Sequence, residues 1–173
     1  HSGDAHFDFV YGHDWPNTLN ELARYREAAR KPGPYDAAAE ASRKGLAEGL
    51  DDGRIRTFLA QMWKKEKLSS AEGHCLMNLC MAATYDPDPK APCGFRVPFN
   101  LESGESIPQR WRRWRNHDPV NLVRRYRASL KTLRGIYIDC GWRAQYHIHY
   151  GARILSNRLS AAGIVHTYEE FDD

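Results

Sequence analysis

Near the C-terminal end of the chain, side chains of several chemical types crowd into one short stretch. The apolar run Gly135-Ile136-Tyr137-Ile138 leads into Asp139 and Cys140, and Gly141-Trp142-Arg143-Ala144 follows. His147-x-His149 comes next, and His166 lies beyond a helical pattern. A carboxylate at the end of a strand can orient an imidazole, fix its tautomer and stabilise its charged form. Asp139 has that position, although the same residue could cap loop amides instead. Two histidines two positions apart invite a metal reading. On a helix, however, i and i+2 do not face the same way, and zinc-binding helices favour i, i+4. The spacing fits histidines that flank a core position at Ile148, so no metal is expected.

Other candidates are dispersed. Arg110-Trp111-Arg112-Arg113-Trp114-Arg115, with Arg124-Arg125-Tyr126-Arg127 beyond, could grip phosphates and stack on bases. The two tryptophans are also spaced for burial on one helix face, with solvated arginines between. Ser2-Gly3-Asp4 could line a pocket or form a turn in which Asp4 bonds its own backbone. His6 reads as a surface residue. Cys140 has no evident thiolate partner and reads as a structural thiol.

The 173 residues suffice for one domain with a core, and 42% apolar content argues against disorder. A formal charge of +3 is too mild to imply nucleic-acid or membrane attraction. No apolar run approaches the roughly 20 residues that cross a bilayer. The four cysteines, Cys75, Cys80, Cys93 and Cys140, form no CxxC pair. They suggest reduced thiols in the cytoplasm, with a Cys75 or Cys80 bridge to Cys93 as the alternative. The chain starts at His1 without an initiator Met, which reads as a processed or partial polypeptide.

The pattern between these residues is largely helical. Asn17 is expected to cap a helix through Arg30, broken by Lys31-Pro32-Gly33-Pro34. An alanine-rich helix is expected over 36–49. Ile55, Phe58, Leu59, Met62 and Trp63 fall at i, i+3, i+4, i+7 and i+8 of another. Ser69-x-x-Glu72 is a capping box for a helix through Ala82, with Ala71, Cys75, Leu76 and Leu79 inward. Prolines and glycines mark 85–106 as loop. Helices are expected over 107–116 and after Asp118-Pro119, where cap and first-turn proline stand in the favoured order. The chain then reads as strand 135–139, helix 145–162, Gly163 stop and strand 164–168. That succession implies two parallel strands joined by a crossover helix.

This last unit resembles the closing β-α-β unit of the α/β-hydrolase fold, in the esterase family that includes enterochelin-esterase-like and S-formylglutathione-hydrolase-like enzymes. The resemblance rests on residues 134–173, with support from 1–12 and 107–131. It implies an α/β chain: the C-terminal part of an α/β-hydrolase, with parallel strands and flanking helices. Residues 1–13 and 107–173 would belong to the core, and 14–106 would be a large helical lid insertion. The implied reaction is ester hydrolysis by a Ser-His-acid triad, without a cofactor, on a small-molecule ester. In that family the acid ends a Gly-x-x-Asp loop, and the matching residue here is Ala144. Asp139 is the candidate substitute acid. Asp4, Trp142, Trp15 and Trp63 are candidates for substrate binding, the last two from the lid. No Gly-x-Ser-x-Gly occurs in the chain, and the family histidine would follow Asp173. The nucleophile and histidine are therefore expected on missing segments or a companion polypeptide. The alternative is a non-catalytic hydrolase-like or helical binding module that uses its arginine and tryptophan clusters.

Overall fold

The computed structural model describes residues 5–26, 43–143 and 146–172. The candidates Asp4 and Ala144, and the first half of the expected 36–49 helix (36–42), lie outside them. The chain divides into two compact units, His1–His13 with Arg115–Asp173, and Asp14–Trp114.

In the first unit a short helix α1 (Phe7–Val10) lies within residues 1–15, which the sequence reads as a loop with a short extended piece. Its start is fixed by Asp118, which is 1% exposed. The Asp118 carboxylate accepts the backbone amides of His6 (3.0 Å) and Phe7 (2.9 Å). It also accepts the Val120 amide at 3.0 Å, as the expected N-cap of its own helix with Pro119 in the first turn. In chain order this unit continues with Pro119–Arg125, Arg127–Leu130, strand β1 (Tyr137–Gly141), Ile148–Ala161 and strand β2 (Thr167–Phe171).

The strands pair in parallel, Tyr137 opposite Thr167 through Gly141 opposite Phe171. Both begin later than the sequence suggested, β1 by two residues and β2 by three. The physical reason is that Ile136 and Ile164 are spent on the core beneath the crossover helix. Val123, Leu159 and Ile164 form its centre, with Leu130, Ile136, Ile138 and Leu155 around them. Ile164 also closes the helix end: its amide bonds Leu159 O at 3.0 Å, next to Gly163 at φ 64. The Arg127 Nε adds a 2.7 Å bond to Ala162 O.

The second unit is helical: α2 (Trp15–Ala23), a helical stretch at 43–47, α3 (Arg54–Met62), α4 (Ser70–Tyr85) and α5 (Pro108–Arg115). Helix α2 starts before Asn17, because Pro16 suits a first turn, and Asn17 instead bonds Asp14 from within the helix. Asp51 caps α3 by accepting the amides of Ile55 (2.8 Å) and Arg56 (3.2 Å). The Ser69–Glu72 capping box forms in full. The core side of α4 includes a polar residue the apolar pattern missed. Asn78 is fully buried and donates to Thr18 Oγ1 and Asp14 Oδ2, both at 2.7 Å. Ala71 is exposed instead.

The arginine–tryptophan run serves this packing. Trp114 is buried against Trp15 and Tyr85, with Trp111 5.4 Å away. Arg113 and Arg110 reach the fully buried Asp86 carboxylate at 2.8 and 3.3 Å. None of the four cysteines is in a disulfide, so the Cys93 bridge is not formed. Burial pushes the Cys75 thiol up to about 12. Among the described residues no helix is long and apolar enough to cross a membrane.

Two glycines make opposite predictions. Gly49 has φ 79, and a Cβ there would lie 2.2 Å from Val97 O. Gly49→Ala is expected to destabilise by about 2 kcal/mol or more, combining left-handed strain with a backbone clash. Gly73, inside α4, has no neighbour within 4 Å of a built Cβ. Gly73→Ala should stabilise by about 0.5–1 kcal/mol. Urea unfolding midpoints of the two variants should therefore move in opposite directions.

Candidate functional site at the carboxyl end of the parallel strands

A parallel strand–helix–strand unit brings the carboxyl ends of both strands and the start of the crossover helix to one edge. Open α/β sheets place their ligand sites at such edges. Here that helix, α8 (Ile148–Ala161), follows the helices Pro119–Arg125 (α6) and Arg127–Leu130 (α7) in chain order. Strand β1 ends at buried Cys140 and Gly141, and the Trp142 amide extends the ladder to Phe171 O at 3.1 Å. The Trp142 indole is partly exposed and lies under the Arg143 guanidinium, 4.5 Å from its centroid. Arg143 in turn pairs with Asp172 at 3.1 Å, just past β2.

Segment 5–13 is drawn onto the first turn of α8. A Cβ at Gly151 would lie 2.3 Å from the Ala5 carbonyl oxygen, so the approach requires glycine there. The contact puts Phe9 at the centre of an aromatic and imidazole cluster. Its ring lies 5.0 Å from His13, 5.6 Å from Tyr150, 5.8 Å from His6 and 6.2 Å from His147. His149 packs tilted against Tyr150, with ring centroids 4.2 Å apart, and is only 6% exposed. Two features mark this cluster. His6 and His147 are the non-glycine residues with positive φ among those described, at 68° and 56°. Strained backbone of this kind gathers at functional sites. The Nδ1 atoms of His6 and His149 are also buried without a hydrogen-bond partner among the described residues. Buried polar atoms are normally satisfied, so these two are open to a further donor or acceptor.

The adjoining ion pair is firmly held. Arg153 grips Glu170 through two bonds, 2.5 and 2.6 Å, and its guanidinium lies 5.5 Å from the Tyr150 ring centroid. The Tyr168 hydroxyl also donates to Glu170. Arg153 first, and Tyr168 second, hold the Glu170 carboxyl at about 2. Burial, reinforced by Glu170, pushes the Tyr168 phenol up to about 12.

The residues singled out from sequence separate. Trp142 is at this edge. Asp139 is not at the strand end: it lies in mid-strand and exposed, opposite Glu169, whose carboxylate accepts the Tyr137 hydroxyl at 2.8 Å. Trp15 is fully buried, packed on Phe99 and Trp114, so it is a core residue and not a pocket wall. Trp63 is exposed in the helical unit. His166 is occupied at the other end of β2, with Nε2 2.8 Å from Ser156 Oγ and Nδ1 3.0 Å from Ile164 O. His6 is half-buried and not a surface residue. Phe9, His13, Tyr150 and Glu170 were not foreseen, because Phe9 reaches Tyr150 and His147 across about 140 positions and Glu170 is joined only through Arg153. No three His, Cys, Asp or Glu side chains converge as metal ligands among the described residues. No protein-family model and no curated protein matches the chain.

The Glu170 tether makes a pH prediction. Its folded pKa lies below the ordinary carboxylate range, so its contribution is present above about pH 4.5 and is lost as pH falls towards 2. Acid unfolding of the wild type should include this loss. Glu170→Gln should lower stability only slightly at neutral pH and flatten the pH dependence between about 4.5 and 2, as read by urea midpoints across that range.

Proposed function

We propose that these residues form the C-terminal part of a serine esterase of the α/β-hydrolase fold, acting on a small-molecule carboxylic ester. The observation that carries this reading is the uncovered parallel sheet. Parallel sheets are normally buried on both faces, and two strands alone are marginal. Here Tyr137 is 60% and Phe171 50% exposed, and helix packs on the Ile136 and Ile138 side. A sheet of this kind belongs to a larger one. The strained, imidazole-rich edge beside α8 stands where such folds do chemistry.

In the proposed reaction a serine attacks the ester carbonyl, a histidine takes its proton and returns it to the leaving alcohol, and backbone amides hold the oxyanion. Water then releases the acid. Serine and histidine come from polypeptide beyond these 173 residues. On this reading residue 144, which follows β1 in sequence, corresponds to the triad acid; its alanine leaves that role unfilled, with Asp139 as the substitute carboxylate in the chain. Four free thiols fit a cytoplasmic setting. The burial of Trp114, and the use of Arg110 and Arg113 on Asp86, favour this reading over a nucleic-acid-binding module.

The test is Ala144→Asp in the full assembly that carries these residues, assayed on a simple aryl acetate. Turnover is expected to rise by roughly two to four orders of magnitude, the scale of loss when a triad acid is removed. Unchanged turnover would overturn the placing of the acid.

A further inference from the structure

The helical unit contains a cleft of about 200 Å³ between the end of α3 and the start of α4. Leu59, Met62, Trp63, Leu68 and Leu76 line it, together with Lys65. Trp63 is 82% exposed, although an indole of that size is usually mostly covered. The connection beneath it, Lys64-Lys65-Glu66-Lys67, is exposed throughout and carries three ammonium groups against one carboxylate. Lys65 is held across the opening by its ion pair with Glu72. Glu72 is itself fixed by the Ser69 amide at 2.9 Å. The Lys65 methylene stem can thus line the cleft while its charge stays at the rim. Lys64 and Lys67 stand on either side in sequence.

We propose that this cleft binds a medium-chain fatty carboxylate. The apolar tail lies against Leu59, Met62, Leu68 and Leu76 and is covered by the Trp63 indole. The carboxylate faces Lys64 and Lys67, while Lys65 stays paired with Glu72. The apolar walls select a hydrocarbon tail, and the basic connection selects an anionic head over a neutral one. A space of this size suits one short chain rather than a partner helix. The inference stands on the helical unit alone and does not rest on the esterase reading.

The test is isothermal titration of the protein with monomeric decanoate, with decanol and phosphatidylserine-containing vesicles in parallel. Decanoate should bind saturably at one site, at least tenfold more tightly than decanol. Trp63→Ala should weaken binding at least tenfold, and Trp63→Phe should retain most of it. Lys64→Glu with Lys67→Glu should weaken decanoate several-fold and leave decanol unchanged. Absence of saturable binding, or equal affinity in wild type and Trp63→Ala, would overturn the proposal. So would association with vesicles alone, which would make the exposed Trp63 a membrane-surface contact. Binding is read without turnover, so an inactive esterase leaves the result intact.

Discussion

The carboxylate of Asp118 holds the first unit together. Buried and accepting three backbone amides, it starts α6 and anchors residues 6 and 7, more than 110 positions away. Hydrogen bonds to a charged group contribute about 1.5–3 kcal/mol each, and a buried amide left without its acceptor costs a similar amount. No apolar side chain could supply all three bonds. With that anchor in place, Ala5 meets the bare Cα of Gly151, and Phe9 is carried to the first turn of α8. The candidate site therefore depends on a carboxylate that takes no part in its chemistry.

The same unit is incompletely covered. One side of the sheet packs Ile136 and Ile138 beneath α8, while the other presents Tyr137, Asp139 and Glu169 to solvent. The Tyr137–Glu169 bond and the Arg153–Glu170 pair link side chains across and beside the strands, where buried parallel sheets would hold branched apolar residues. Exposed ion pairs of this kind contribute little stability on their own. In the esterase proposal this pair of strands is part of a larger sheet, whose further strands would complete its stability.

Local signals in the sequence act locally in the fold. Ser69 and Glu72, Asp118 and Pro119, and Gly163 each act through neighbours a few residues away, and each does what its type predicts. The parallel strand–helix–strand order was legible from periodicity and chain length. The strand starts were not, because Ile136 and Ile164 look like strand residues but are used as helix-facing anchors. Polar residues in the core were also hidden. The Asn78 amide nitrogen is held inside by Thr18 and Asp14, and the Asp86 carboxylate by Arg110 and Arg113, and those partners lie far off in sequence. The contacts of Phe9 with His147 and Tyr150 were hidden for the same reason. His147 and His149 were weighed as metal ligands on spacing alone, while Phe9, which gathers His6, His13 and His147, carried no local signal.

The most direct measurement is labelling of the full assembly with a fluorophosphonate, followed by peptide mapping. The account predicts one modified serine, in a Gly-x-Ser-x-Gly turn outside these 173 residues and in the same assembly. No labelled serine, or a label on a serine within the chain such as Ser103 or Ser156, would contradict it.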